Sequence, residues 1–473
     1  MALREIRAAL DSKKISAEEL TKKYLERISV SELNSFITVC EESALQSAKE
    51  AQRLIGSGKQ TALTGIPYAA KDNLCTKNIR TTCASKMLDD FVPNYNAHVI
   101  DLLNNHNAIM LGKTNMDEFA MGNSSETSYY GAVKNPLNSD FTSGGSSSGS
   151  AAATGADLCA FALGSDTGGS IRQPAALCGV TGLKPTYGTV SRYGLVAFAS
   201  SLDQIGIIAS CAEDTGYVLN CICGNDAKDA TSVDNTSDDF LSLIGKSISG
   251  LKIGVPDEFI KNLDLQTEKA FSKAMDCLSG LGCEMVSCSM PSLEYAVSAY
   301  YLISSAEAAA NLARFDSVRY GHRTQDADDF YTLISQSRSE GFGNEVKRRI
   351  MLGNYALSTG YYEEYYMKAQ KARAKIIEDY NAVFEKCDII ATPLMPNVYT
   401  NSNRQISSMY NSDIFTVTAN LAKLPAIATP CGYDENKIPI GISFTGKPFD
   451  EKTIIAVCDR FEKEAQKWQA TNP

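Results

Sequence analysis

The sequence predicts an α/β fold, with a single large α/β/α layered domain around a mixed central sheet and a mainly helical insertion. Short apolar runs such as GIPYAA, AIMLG, LCAFAL and VTGLK alternate with helical patterns and glycine-rich turns between about residues 63 and 210, which is typical of α/β layering. LKIGVP begins another strand, and helical patterns then fill 265–282 and 291–380. Because CDIIATPLMP, PAIATPCG and PIGISFTG return to strand character, one interrupted sheet fits better than two independent domains.

The N-terminal part, residues 1–60, is predicted to be a helical segment. Its run SAEEL has the form of a capping box, with Ser16 followed three residues later by Glu19. The remaining residues, 61–473, are predicted to form the main domain, with the helical insertion at about 260–380.

The charge balance restricts the classes of function. The 473 residues include 45 Lys and Arg and 55 Asp and Glu, a formal net charge of −10. Neutralising phosphates needs a basic field, so a protein whose own surface clamps nucleic acid is disfavoured, although a basic partner could supply that contact. The sequence has no run of 18 apolar residues and no apolar leader at its N-terminus. We therefore expect a cytoplasmic protein without a membrane segment.

Fourteen cysteines are scattered along the chain without a CxxC pair. In a long chain without a secretory leader, this usage indicates reduced and mostly buried thiols. We therefore expect neither a disulfide framework nor a zinc site, and no metal ligands are predicted.

Histidine offers little support for a catalytic base. None of the histidines lies near a serine-rich motif along the chain. Separation in sequence does not prevent contact in space, so a Ser-His-Asp triad stays open with little support. The three histidines, predicted to be surface or core positions, are His98, His106 and His322.

Two local motifs resemble known sites but lack the required context. LGKT at 111–114 resembles the end of a phosphate-binding loop, but the first glycine of that motif would fall on Asn107. GSSSG, centred on Ser147, matches the nucleophile-elbow pattern, yet a turn-rich loop precedes it where an apolar strand is required. Neither motif is predicted to carry the chemistry.

The serine turn in ALGSDTGGSIRQPA, residues 162–175, is more specific, because LCAFAL predicts a strand that enters it. Gly168 and Gly169 let successive backbone N–H groups converge on one point, and such a nest can hold an oxyanion. The Ser170 hydroxyl would lie at the edge of the nest, the position of an acyl-transfer nucleophile. A purely structural turn is the alternative.

A hydroxyl nucleophile needs a base, and without a supported histidine the remaining candidate is a lysine. GIPYAAKDN places Lys71 at the end of an apolar strand. Burial would penalise the ammonium form and make a neutral base accessible. The alternative is that Lys71 is an ordinary solvated surface charge.

The stretch TSGGSSSGS, residues 142–150, contains only Thr, Gly and Ser. Its composition alone is typical of a flexible linker between domains. It lies between Lys71 and the turn of Ser170, however, so the alternative is that it forms the wall of an active site.

Taken together, KDN at Lys71, GGSSSGSAAA around Ser146 and GSDTGGSIRQPA around Ser170 resemble the amidase signature family, and the resemblance covers nearly the whole chain. It implies the amidase signature fold and a Ser–cis-Ser–Lys triad. Ser170 would be the nucleophile, Ser146, held by a non-proline cis peptide bond, the proton relay, and Lys71 the base and then the acid. The backbone N–H groups implied to form the oxyanion hole are those of Thr167, Gly168, Gly169 and Ser170.

Further motifs, including DEFAMGNSSETS and EVKRRIMLGNYALSTGYY, resemble one branch of that family, the A subunits of tRNA-dependent amidotransferases. The branch implies that Arg349 binds the α-carboxylate of glutamine and Asp413 its α-ammonium, with a hydroxyl from Tyr300. An amino acid needs one fixed cation and one fixed anion, and arginine offers a bidentate fork. Arg348 and Tyr301 remain alternatives to their neighbours.

The resemblance implies a glutaminase subunit that hydrolyses glutamine through a Ser acyl-enzyme and supplies ammonia to a partner subunit. Partner subunits B and C would complete the complex, and the partner would convert Glu-tRNA(Gln), Asp-tRNA(Asn) or both to the amidated products. ATP and Mg²⁺ would be used by the partner, tRNA would be bound mainly through it, and this chain would bind no cofactor. The alternatives are a stand-alone hydrolase of small aliphatic or aryl amides and a non-catalytic scaffold subunit.

One position departs from the family pattern. The family usually has glycine where this chain has Ser148, which gives GGSSSGS in place of GGSSGGS. A small residue is kept, so we expect the loop to survive, but the backbone freedom of glycine is lost there.

Overall fold

The computed structural model describes residues 1–236, 238–261, 263–395 and 412–471. The strands among them are β1 Phe36–Val39, β2 Pro67–Lys71, β3 Ile109–Thr114, β4 Phe161–Asp166, β5 Thr181–Lys184, β6 Gln204–Ala209, β7 Lys252–Pro256, β8 Glu284–Cys288, β9 Ile389–Pro393, β10 Ala426–Tyr433 and β11 Pro439–Gly446.

The α-helices of the same residues are α1 Leu3–Asp11, α2 Ala17–Ser29, α3 Glu41–Gly56, α4 His98–Asn105, α5 Ser148–Gly155, α6 Arg172–Leu177, α7 Ala212–Ile222, α8 Asp257–Ile260, α9 Leu265–Gly280, α10 Ala296–Leu312, α11 Phe330–Gly341, α12 Asn344–Leu357, α13 Lys368–Phe384, α14 Ile414–Leu421 and α15 Glu451–Thr471.

The strands of the described residues form one eleven-stranded sheet in the order β1-β3-β2-β4-β6-β5-β10-β11-β9-β7-β8. The pairings of β2 with β3 and β4, and of β7 with β8 and β9, are parallel, and the other pairings are antiparallel. The predicted mixed central sheet is therefore confirmed.

Helices cover both faces of this sheet. Ile427 and Ala428 are neighbours in β10, so their side chains point to opposite faces. Ile427 belongs to a core that includes Phe461 of α15, whereas Ala428 packs with Ala176 and Leu177 of α6. Burial on both faces explains why strands such as β2, β4, β6 and β11 are mostly apolar or small, apart from Lys71, Asp166 and Gln204 at strand ends.

The first 56 residues contain one element that the sequence analysis missed. Helices α1, α2 and α3 were expected there, and Ser16 caps α2 in the predicted box with Glu19. Between α2 and α3, however, Phe36–Val39 forms β1 and pairs with β3 at the edge of the sheet. Four residues give no usable alternation, because edge pairing to a distant strand decides their conformation.

The helices α10, α12 and α13 pack together with α14 around a second core. Its members include Ile303, Val346, Ile376 and Val417. The predicted insertion is helical in this part, but its range also contains β8, which pairs in parallel with β7. The boundaries at residue 60 and at about 260 and 380 stay predictions.

The cysteines are all free thiols, and only Cys211 and Cys288 are more than slightly exposed. Among the described residues, no helix is both long and apolar enough to span a lipid bilayer.

Candidate active site

The candidate site is a cavity of about 500 Å³ at the end of β4. Its wall combines the turn that follows β4, the first half of α10, the start of α12 and the N-terminus of α14. Ser170 lies in that turn, borders the cavity and is 8% exposed. The turn after the apolar strand thus opens its serine to a ligand-sized space, as the sequence predicts.

Lys71 is the last residue of β2 and is completely buried. Its Nζ lies 2.8 Å from the Ser146 Oγ, 2.8 Å from the Ser147 Oγ and 3.2 Å from the carbonyl oxygen of Ser165. The reading of Lys71 as a solvated surface charge is therefore wrong. A strand that is buried on both faces carries its final side chain into the interior beneath the serines.

Burial lowers the pKa of Lys71 to about 7. Removing an ammonium from water disfavours its charged form. The nearby carboxylates of Asp117, Asp166 and Asp203 act in the opposite direction and limit the shift. The amine can therefore accept and release a proton near neutral pH.

The serine-rich stretch 142–150 is buried throughout, so the linker interpretation is wrong. The peptide bond between Gly145 and Ser146 is cis, as the resemblance implies. On the two sides of this bond, the Gly145 N–H donates to the Gln173 Oε1 at 3.1 Å and the Ser146 carbonyl accepts from the Asp117 N–H at 3.2 Å.

Two serine segments meet at the site. The backbone N–H of Ser147 donates to the carbonyl oxygen of Ser170 at 3.1 Å. Ser147 itself is completely buried and precedes α5, so the geometry does not support it as the exposed nucleophile of an elbow. Its hydroxyl does contact Lys71, a role that no pattern in the sequence indicates.

Ser148 is the first residue of α5 and does not have a positive φ. The backbone freedom of glycine is therefore not required at this position. Its buried hydroxyl makes no hydrogen bond to any residue in the described ranges.

A buried ion pair stabilises the turn that carries Ser170. Arg172 Nε lies 3.0 Å from Asp166 Oδ2, and Arg172 Nη2 donates to the Asn420 Oδ1 at 2.7 Å. Burial opposes ionisation of Asp166, but Arg172 outweighs it and holds the pKa of this carboxyl below its usual range. Helix α14 closes over the turn, since the Thr416 hydroxyl donates to the Gly168 carbonyl at 2.6 Å.

The amides predicted to form an oxyanion hole are not equivalent. The Gly169 N–H donates to the Asp166 Oδ1 at 2.7 Å and is already engaged, so its part in an oxyanion hole stays a prediction. The N–H groups of Thr167, Gly168 and Ser170 donate to no acceptor within the described parts of the chain. Three amides thus remain available to an oxyanion where four were predicted.

The backbone around those amides has no room for larger residues. A Cβ at Gly168 would lie 2.7 Å from the Tyr300 Oη, and one at Gly169, where φ is +119°, would lie 2.5 Å from Thr416. These two positions explain the glycine pair, because both close approach and left-handed backbone exclude a side chain.

The cavity wall also holds a carboxylate. Asp413 precedes α14 and accepts hydrogen bonds from the Tyr301 hydroxyl at 2.5 Å and from the Asn123 Nδ2 at 3.2 Å. Tyr300 lies instead against Gly168, beside the turn of Ser170. The two adjacent tyrosines of α10 therefore contact different residues of the cavity wall, Gly168 and Asp413.

The two candidate arginines of α12 also differ. Arg349 is 5% exposed, with its guanidinium 5.0 Å from the Tyr301 ring centre and 5.4 Å from that of Phe198. Arg348 has a side chain that is 44% exposed at the rim. Both contact Glu345, which the sequence analysis missed. The buried position favours Arg349 as the partner of a bound carboxylate.

The other sequence motifs lie away from this wall. Lys113 of LGKT is buried and paired with Asp72 at 3.2 Å. The cavity lining in the described residues contains no histidine, which leaves a Ser-His-Asp triad without geometric support. The same residues contain no group of three or more His, Cys, Asp or Glu side chains arranged to hold a metal ion.

The arrangement combines an accessible hydroxyl, a buried amine of lowered pKa, free amides, and a cation and an anion in one cavity. It can therefore carry out acyl transfer on a small substrate with a charged group of each sign. The catalytic and binding roles of the individual residues stay predictions.

Comparison of the sequence with known proteins identifies its family. A sequence profile for the family described as Amidase matches residues 19–455. The chain is 50% identical to the A subunit of glutamyl-tRNA(Gln) amidotransferase from Ruminiclostridium cellulolyticum, covering 98% of this chain and 97% of that protein. It is 48% identical to the protein of the same name from Coxiella burnetii, covering 99% and 98%.

Solved structures extend the comparison to the fold. The A subunit of glutamyl-tRNA(Gln) amidotransferase from Thermotoga maritima is 38% identical with a TM-score of 0.79, over 98% of this chain and 94% of that chain. The peptide amidase from Stenotrophomonas maltophilia is 26% identical with a TM-score of 0.85, over 98% and 97%.

Proposed function

The chain belongs to the amidase family, and we propose that it is the glutamine-hydrolysing subunit of a tRNA-dependent amidotransferase. The observation that carries this proposal is one cavity lined by Ser170 together with the charged side chains of Arg349 and Asp413. Relatives that are about half identical over the full chain bear the name of the A subunit of such an enzyme.

In the proposed reaction, the Ser170 oxygen attacks the side-chain carbonyl carbon of glutamine. The Ser170 proton passes to Ser146, whose own proton passes to the neutral Lys71 amine 2.8 Å away. The C–N bond then breaks, and the proton returns through Ser146 to the leaving nitrogen, which departs as ammonia. Water hydrolyses the remaining acyl-enzyme by the same proton route and releases glutamate.

The negative charge that forms on the carbonyl oxygen needs donors that are already oriented. The free amides of Thr167, Gly168 and Ser170 would supply them. Such donors cost no reorganisation during the reaction, and losing one typically lowers the rate by about 10²–10³-fold. Asp166, whose carboxylate binds the Gly169 N–H, would keep the turn in the required shape.

Glutamine would be held by its α-groups. Arg349 would bind the α-carboxylate, and Asp413, oriented by Tyr301, would bind the α-ammonium. A small aliphatic or aryl amide has no use for this pair of charges, which favours the glutaminase over a stand-alone amidase.

Ammonia would be passed to partner subunits, B and C of a heterotrimer, which would use it on activated Glu-tRNA(Gln), Asp-tRNA(Asn) or both. ATP and Mg²⁺ would act on the partner, and the net charge of −10 fits a chain that leaves most tRNA contact to it. We place this activity in the cytoplasm, where aminoacyl-tRNA is used.

The decisive experiment is Ser170→Ala in the assembled complex, assayed with two nitrogen donors. We expect glutamine-driven amidation of aminoacyl-tRNA to be lost and ammonia-driven amidation to be retained. Retained glutamine-driven activity would indicate a scaffold subunit. If the wild-type protein cleaves hydrophobic amides and leaves glutamine intact, it is a stand-alone amidase.

A further inference from the structure

Glu345, in the first turn of α12, connects the two arginines of the cavity. Its Oε1 lies 2.7 Å from the Arg349 Nε and 2.7 Å from the Arg348 Nη2, and its Oε2 accepts from the Arg348 Nε at 2.8 Å. One carboxylate is therefore shared by a buried and an exposed guanidinium. Glu345 itself lines the cavity.

The surroundings of Arg349 leave one edge of its guanidinium open. The Tyr301 and Phe198 rings lie 5.0 and 5.4 Å from its central carbon, and Glu345 occupies the Nε. Neither Nη group donates a hydrogen bond to a residue in the described part of the chain. Because Arg349 lines the cavity, its two Nη groups are available to a bound carboxylate, which can accept from both.

We propose that Glu345 is a positioning residue for glutamine binding, which fixes the Arg349 guanidinium through its Nε so that both Nη groups face the substrate α-carboxylate. This inference rests on the proposed function. Without the carboxylate, the guanidinium keeps its contacts with the two rings but can rotate in its plane. Substrate binding would then have to order the Arg349 guanidinium, and this loss of conformational freedom weakens binding.

Arg348 has a different part in this arrangement. A lone carboxylate on Glu345 would repel the α-carboxylate of glutamine across the cavity. Arg348 binds both Glu345 oxygens from the rim, so the three side chains together carry one net positive charge. Arg348 thus neutralises the positioning residue and does not itself need to bind the substrate.

The test compares the Glu345→Leu and Glu345→Gln variants of this subunit, each assembled with otherwise wild-type partner subunits. Leucine removes both acceptors at similar volume, and glutamine keeps one acceptor without charge. We expect Glu345→Leu to raise the KM for glutamine about tenfold or more with kcat within about twofold, because ground-state and transition-state binding are lost equally. Glu345→Gln should give a smaller rise in KM.

A matched substrate separates positioning from general damage. 4-Aminobutanamide is glutamine without its α-carboxylate, so Glu345→Leu should leave its kcat/KM unchanged. Arg349→Gln should raise the KM for glutamine, and adding Glu345→Leu to it should raise the KM no further, since the carboxylate acts through Arg349.

An unchanged KM for glutamine in both Glu345 variants, or an equal loss with both substrates, would overturn the proposal. Additive effects of Glu345→Leu and Arg349→Gln would do the same. If the wild-type complex does not hydrolyse glutamine, the proposed function is wrong. That result would not bear on the contacts of Glu345 with the two arginines. Should Glu345→Leu not fold, Glu345→Gln carries the comparison alone with the same two substrates.

Discussion

The Lys71 Nζ and the Ser146 Oγ lie 2.8 Å apart in a region where both residues are completely buried. Because both groups are buried and within hydrogen-bond distance, a proton can pass between them directly.

The pH dependence of glutamine hydrolysis should reflect Lys71. Below its pKa of about 7 the amine is protonated and cannot accept a proton, so kcat/KM should fall about tenfold per pH unit there and level off above. The measurement is kcat/KM for glutamine between pH 5.5 and about 9, a range chosen around that pKa. A profile that is flat through pH 7 would contradict the assignment.

Lys184 provides a control for that profile. It is a second buried lysine whose pKa burial lowers to about 7, but its Nζ binds the carbonyl oxygens of Pro185 and Leu424. Lys184→Met should therefore leave the midpoint of the profile in place, whereas Lys71→Met should abolish hydrolysis.

The two serines that contact Lys71 should differ in their effect on rate. Ser146→Ala interrupts the proposed relay and should lower kcat about 10²–10⁴-fold. Ser147→Ala removes a hydroxyl that also contacts the carbonyl oxygen of Ser165, so a loss of about 1–3 kcal/mol in the free energy of unfolding should accompany a smaller loss of rate. Rate measurements and urea unfolding on both variants distinguish the two roles; equal rate losses would contradict them.

Asp166→Asn should destabilise the protein strongly. It leaves the Arg172 guanidinium buried without its counter-charge, which typically costs about 3–5 kcal/mol in the free energy of unfolding. Asp157→Asn breaks the exposed pair with Arg27 and should cost less than about 1 kcal/mol. Denaturant unfolding of the two variants makes the comparison, and similar midpoints would refute it.

The adjacent tyrosines of α10 should affect glutamine binding unequally. Tyr301→Phe removes the shorter of the two hydrogen bonds described for the Asp413 carboxylate, so the KM for glutamine should rise about five- to tenfold through a misplaced carboxylate. Tyr300→Phe leaves that hydrogen bond intact and should raise the KM less. A larger rise in KM with Tyr300→Phe would indicate that Tyr300, which lies beside Gly168, makes the substrate contact instead.

Much of the site could be predicted from sequence because its central parts are local. Lys71, Ser146 and Ser170 each lie in a short motif whose turn or strand determines the direction of the side chain. Burial of Lys71 agrees with the apolar strand before it, since strands covered on both faces are largely buried.

The remaining contacts depend on packing between distant segments. Consecutive residues on a helix point about 100° apart, so choosing between Arg348 and Arg349 requires knowing which side of α12 faces α10. The binding of the Gly169 N–H to Asp166 and the position of Glu345 between two arginines are likewise side-chain geometry. Strand β1 was missed for the same reason, because its partner β3 is distant in the chain.

The hydrogen bond from Arg172 to Asn420 joins residues that lie 248 positions apart in the chain. During synthesis, a nascent polypeptide can therefore expose the whole serine turn while the helix that closes over it is still inside the ribosome. The Asp166–Arg172 ion pair is local to the turn, whereas the hydrogen bonds from Arg172 to Asn420 and from Thr416 to Gly168 form only when α14 has emerged. An interrupted translation product that ends before α14 lacks both contacts, and we expect it to cleave no glutamine.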